Sequence, residues 1–130
     1  MGNQFFYLLQ LLLMKQYWLD EPEEHDFPAA HDYLELLFPL KEAQLMVDKL
    51  KKSPTIIKKS KDILRASQLP LLPSTNIHVS QNIKKVKKGK SLSPVLLVRN
   101  DGKLIIADGY HRVCAIYYLS EDLSIPCRLV

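Results

Sequence analysis

The stretch from Pro94 to Val130 limits what this chain can fold into more than any other. Pro94 opens Val95-Leu96-Leu97-Val98, a run apolar enough for a strand buried on both faces. Asn100-Asp101-Gly102 follows, and these residue types accept the positive φ angles of a tight hairpin turn. Lys103 to Ala107 returns as the partner strand and Asp108-Gly109 makes a loop. A helix is then expected from about Tyr110 to Leu119 and a last strand from Ile125 to Val130. A strand-turn-strand-loop-helix-strand unit of this kind predicts a mixed α+β domain, with helices packed on a small sheet.

The preceding residues divide into shorter elements. Asp20 to Asp26 is acidic, contains Pro22 and reads as loop. Pro28 suits the first turn of a helix that Asp26 caps, with Tyr33, Leu34, Leu37 and Phe38 on its apolar side and Pro39 ending the run. A second helix is expected from about Lys41 to Lys51, burying Leu45, Met46, Val47 and Leu50, until Ser53-Pro54 ends it. Thr55-Ile56-Ile57 predicts a short strand and Asp62 to Ala66 a helical turn. Ser74 or Asn76 then caps a helix from Ile77 to Lys88 that Gly89 terminates. The domain organisation expected is an N-terminal extension (1–13), an acidic loop with helices that pack on the core (14–53), and the α+β domain proper (54–130).

Phe5 to Met14 is ten residues with one polar interruption, whereas a bilayer span takes about 20 apolar residues. A secretory signal would start basic and carry a small-residue cleavage site. A myristoylation motif would have Ser or Thr where Phe6 stands. The segment reads either as upstream translation, with Met14 as the true start, or as an amphipathic or partner-binding helix.

Composition narrows the class. The chain has 130 residues, 47% hydrophobic and 25% charged, enough apolar material for a core. Its two cysteines, Cys114 and Cys127, lie in apolar segments without CxxC spacing. They read as reduced core thiols of a cytoplasmic protein, neither a disulfide framework nor a zinc site. The net charge of +4 is unevenly placed. Eight acids and one lysine lie between Asp20 and Glu42, and fourteen Lys or Arg residues lie between Lys49 and Lys103 against Asp62 and Asp101. Either the acidic segment folds against the basic one, or a basic face is left for an anionic partner. The run Lys84-Lys85-Val86-Lys87-Lys88-Gly89-Lys90 would meet DNA by charge alone, having no interleaved aromatics for base stacking. His78 reads as a structural or surface histidine, and His25 and His31 lack the spacing of a metal site.

Chemistry concentrates at Asp108-Gly109-Tyr110-His111-Arg112. A strand that runs through Asp-Gly into a helix exposes the helix's first free amides, which attract anions. Gly109 lets the backbone approach a ligand, Arg112 can grip a phosphate with paired hydrogen bonds, and His111 can donate another. Asp108 can cap the helix, orient Arg112, or hold Mg²⁺ beside a nucleotide. The bland alternative makes this an ordinary helix start with surface His111 and Arg112. On the phosphate reading, Arg112 points at the anion from an exposed position and is dispensable for the fold.

The segment Pro94 to Ala115, with Gly109-Tyr110-His111-Arg112-Val113-Cys114-Ala115 at its end, resembles the ParB/sulfiredoxin-like superfamily, small bacterial ParB-like proteins in particular. The resemblance extends loosely back to Thr55. It implies a nucleotide-binding domain, with phosphotransferase or weak NTPase activity as an extension. ATP or CTP would be bound with Mg²⁺, its phosphates held by Gly109, Tyr110, His111 and Arg112 together with Lys84 or Lys85. Asp108 and His111 would be the catalytic candidates and Asp108 the metal ligand. Tyr110 stands where sulfiredoxins carry their cysteine and ParB domains a glutamate, which argues against sulfinic acid reduction and against ParB-style hydrolysis. The alternatives are a nucleic-acid-binding or nuclease-type ParB-like module using the lysine-rich face, and a protein-interaction module that docks a partner on its acidic helices.

Overall fold

The computed structural model describes residues 4–5 and 17–130; the reading of 1–13 as a separate extension lies almost wholly outside them. The described elements are α1 (Asp26–Leu34), α2 (Leu40–Lys52), β1 (Ile56–Lys59), α3 (Ser60–Ser67), α4 (Ile77–Lys87), β2 (Val95–Asn100), β3 (Lys103–Asp108), α5 (Tyr110–Leu119) and β4 (Ser124–Leu129). The fold is mixed α+β, with a four-stranded sheet in the order β1-β4-β2-β3. β2 and β3 form an antiparallel hairpin, β4 runs parallel to β2, and β1 pairs antiparallel with β4.

Alternation along the strands divides the core in two. Val95, Leu97, Ile106, Ile125 and Cys127 face one side with Ile63 of α3, Val79 of α4 and Val113 to Ile116 of α5. Leu96, Val98, Ile105 and Ala107 face the other with Ala30 and Leu34 of α1 and Ala43, Val47 and Leu50 of α2. Helices on both faces explain why β2 is apolar at consecutive positions. They also make the N-terminal helices half of one core rather than an appendage. Trp18, 4% exposed, belongs to the α3–α5 side. It is held there because the Leu19 amide donates to the Leu92 carbonyl at 2.7 Å and the Leu92 amide to the Tyr17 carbonyl at 2.7 Å.

The turn chemistry is as expected. Asp101 and Gly102 take φ of 48° and 73°, the doubly positive pattern of a two-residue hairpin loop. Asn76 caps α4, its side chain accepting from the His78 and Val79 amides at 3.0 and 3.2 Å, and Gly89 follows α4 at φ 76°.

Three expectations need correction. α1 stops at Leu34, whose carbonyl accepts from the amides of Leu37 and Phe38 in a tight turn, and its buried face is Asp26, Ala30 and Leu34; Tyr33, off that face, and Leu37, past the helix, are exposed. In α2 the buried face is Ala43, Val47 and Leu50, a spacing that puts Leu45 outside, 59% exposed. Asp26 does not cap α1. It is buried, and its carboxylate accepts from the Glu23 amide at 2.9 Å. No helix among the described residues is long and apolar enough to cross a membrane.

Candidate functional site: the pocket between α4 and the start of α5

Where β3 ends, its register with β2 slips by one residue, so that Asp108 rather than Ala107 lies opposite Leu96. Such a slip bends the end of a strand, and Gly109 completes the change of direction at φ 113°. A Cβ at Gly109 would lie 2.3 Å from Cγ1 of the buried Val95 and 2.9 Å from Nη2 of Arg112. The glycine is required by its backbone angle and by the lack of space. Gly109→Ala is therefore expected to cost about 2–3 kcal/mol, from backbone strain and overpacking together, read as a lower melting temperature.

This turn starts α5 against α4, and a pocket of about 260 Å³ lies between them. Its walls are His78, Gln81, Asn82 and Lys85 from α4 and Asp108, Gly109, His111 and Arg112 from the loop and α5. The first intrahelical bond of α5 runs from the Val113 amide to the Gly109 carbonyl at 3.0 Å, so the amides before Val113 belong to the unpaired first turn. The His78 and His111 rings meet edge to face with centroids 4.9 Å apart. Burial lowers the pKa of His111, and the neighbouring His78 and Arg112 lower it further.

The sign of that shift makes a stability prediction. A histidine with a depressed folded-state pKa binds fewer protons folded than unfolded. Stability is thus full above the unfolded value of about 6.5 and is lost as pH falls below it. Melting temperatures taken from pH 7.5 to 5 should fall less steeply for His111→Gln than for the wild type.

Arg112 is not an exposed anion hook. Its side chain is 15% exposed. Nη2 donates to Asp108 Oδ2 at 2.9 Å and to the Pro94 carbonyl at 3.3 Å, while Nη1 lies 3.9 Å from Asp26 Oδ1. Its Nε is buried with no hydrogen-bond partner among the described residues. Of the roles open to Asp108, the structure displays that of orienting Arg112; the N-cap position is Gly109, without a side-chain cap. Burial is the largest influence on the Asp108 carboxyl and pushes its pKa up, with Arg112 pulling it down and the nearby Asp26 adding to the rise. Among the described residues Asp108 is the one carboxylate lining the pocket, and it already faces a guanidinium. That is a poor fit to Mg²⁺, which takes near-octahedral oxygen ligands.

The remaining sequence candidates separate. Lys85 lines the pocket; Lys84, next to it on α4, is not among the lining residues. Tyr110 turns away, its hydroxyl donating to the Pro70 carbonyl. It shares a helical face with Cys114 and Tyr118, at spacings of four and eight, and Tyr118 donates to the Leu72 carbonyl at 2.7 Å. This face of α5 pins the segment between α3 and α4, a role that sequence reasoning missed although Tyr-x3-Cys-x3-Tyr is a one-face spacing. His78, Gln81 and Asn82 were also missed as pocket residues; their positions on α4 matter only once α4 is docked against α5. Burial raises the thiol pKa of Cys114, and pushes that of Cys127 up to about 12, so both are inert core thiols. Glu23, His25 and Asp26 lie close together, with His25 Nε2 at 3.0 Å from Glu23 and 3.5 Å from Asp26. Spacing alone had not shown that grouping.

Comparison with protein-family models, with curated proteins and with solved structures finds no match to this chain.

Proposed function

We propose that the pocket between α4 and α5 binds the phosphate end of a nucleotide-type ligand, in the manner the ParB/sulfiredoxin-like resemblance implies. The observation that carries the reading is the buried, unpartnered Nε of Arg112 in the wall of a pocket shared with Lys85, His78, His111 and the first turn of α5. Unpaired helix amides, an ammonium and imidazole donors around one concavity favour an anion with several acceptor oxygens. At about 260 Å³ the pocket is below the ~300–1,000 Å³ of sites that enclose a drug-sized ligand. It takes the phosphates and leaves the base outside. Arg112, held by Asp108, acts as the rear wall, with Nε as its free donor. His111, its pKa lowered, is the better candidate for a neutral base or proton carrier; Asp108 would first have to release Arg112. Phosphoryl transfer or hydrolysis would rest on His111 on this reading, with any Mg²⁺ carried chiefly by the phosphates.

Thermal-shift and titration measurements with ATP, CTP and GTP, in Mg²⁺ and in EDTA, test this. Binding should raise the melting temperature and survive EDTA. Lys85→Met, at an exposed position, should weaken binding about tenfold, the worth of one charge-assisted hydrogen bond, and leave stability unchanged. If no triphosphate binds the wild type at millimolar concentration, the proposal is wrong. Retention of DNA without any nucleotide effect would favour the lysine-rich face instead, where Lys84, Lys87, Lys88 and Lys90 are exposed.

A further inference from the structure

A second pocket, of about 240 Å³, lies on the other face of the sheet, between α1 and α2. Phe27 and Pro28 from α1 and Val47 from α2 give it apolar walls, and His31 and Lys51 bring polar groups to it. The His31 side chain is 20% exposed, and its Nδ1 lies 3.5 Å from Glu35 Oε2, one turn along α1. Its other nitrogen, Nε2, is buried with no hydrogen-bond partner among the described residues. A buried polar atom left unpaired is costly unless something satisfies it. Across the pocket, the Lys51 ammonium lies over the Phe27 ring, 5.7 Å from its centre, which places a cation against the aromatic wall.

We propose that this pocket binds a small organic carboxylate with an apolar body, its carboxylate held between His31 Nε2 and Lys51 Nζ and its body against Phe27, Pro28 and Val47. Glu35 offers Nδ1 an acceptor, which leaves Nε2 as the nitrogen that faces the ligand. The charged groups around the ring are then Asp32 from α1, Glu35 just past its end and Lys51 from α2. Asp32, exposed at the rim, favours ligands without a second negative charge, which separates this site from the phosphate pocket. One ammonium and one imidazole suit a monocarboxylate. The apolar walls supply the rest of the binding, as in most small-ligand sites.

Sodium benzoate, with neutral benzamide as control, serves as the probe in an amide-resolved NMR titration of the whole chain. The proposal expects saturable shifts centred on Phe27, His31 and Val47 with a millimolar dissociation constant. Benzamide should bind about tenfold more weakly, or not at all. Lys51 is exposed, so Lys51→Met keeps the fold and an unbranched apolar side chain while removing the charge; it should weaken benzoate about tenfold. His31→Phe, checked by its melting temperature, should lose binding as well. The proposal is overturned by no saturation up to ~10 mM, by equal binding of benzamide, by unchanged affinity in Lys51→Met, or by shifts centred on Gly109 and α4. The last result would assign benzoate to the phosphate pocket. Loss of nucleotide binding at that pocket would leave the benzoate result untouched, so the two proposals fail independently.

Discussion

Arg112→Ala should lower the unfolding free energy by about 3–5 kcal/mol, the range for removing one partner of a buried charge pair. Asp108 and Asp26 would be left facing each other with 18% and 2% side-chain exposure and no guanidinium between them. Urea denaturation at pH 7 measures the loss, and its pH dependence identifies the cause. In the variant the Asp108 carboxyl keeps the burial that raises its pKa and loses the guanidinium that pulls it down, so the folded state binds more protons than the unfolded one. The deficit is then largest at neutral pH and shrinks as pH falls toward about 4. Arg112→Lys keeps one charge but cannot serve Asp108, the Pro94 carbonyl and Asp26 at once, and should fall between. A deficit below about 1 kcal/mol, the size usual for exposed positions, would mean that the guanidinium is free to serve a ligand alone.

Arg128→Ala should be damaging as well, at about 2–3 kcal/mol, the range for leaving buried acceptors without their donor. Arg128, on β4, is 8% exposed. Its Nη1 donates to the carbonyls of Leu50 and Lys51 at 3.2 and 2.8 Å, Nε reaches Thr55 Oγ1 at 3.5 Å, and Nη2 pairs with Glu21. The side chain thus serves the Lys51 carbonyl and shares that of Leu50 with the Ser53 amide at 3.4 Å, and it ties the end of α2 to the sheet. Alanine removes that donor from both carbonyls. Denaturant titration should show a lower midpoint with an unchanged slope. A midpoint within error of wild type would show that water satisfies those carbonyls equally well.

The parts of this fold legible in the sequence are those governed by local chemistry. Asn100-Asp101-Gly102 announces its hairpin because few other residues accept two positive φ angles in succession. Asn76 and Gly89 mark the ends of α4 for similar reasons. The mixed α+β class follows from the change of period between β2–β3 and α5. Burial faces in α1 and α2 were less legible, since Leu37 and Leu45 are as hydrophobic as Leu34 and Leu50 and only docking on the sheet tells them apart. The candidate site divides along the same line. Gly109, His111, Arg112, Asp108 and Lys85 stand out by residue type and position. The engagement of Arg112 by Asp26 spans residues far apart in the chain, and no local pattern encodes it. Arg128 was passed over because an arginine in a strand reads as solvent-facing until a helix end is placed beside it.

The strand order carries a consequence for how the chain comes to be folded. β4 lies between β1 and β2, although it is the last of the four to leave the ribosome. Until residues 124–129 emerge, β1 has no neighbour on the sheet, β2 and β3 are a lone hairpin, and the end of α2 has not met Arg128. A two-stranded hairpin is marginal in water, and distant pairings are slow to form. The sheet therefore closes only after its final strand is synthesised, and a chain that stalls before Ser124 exposes the apolar face of β2 to its neighbours.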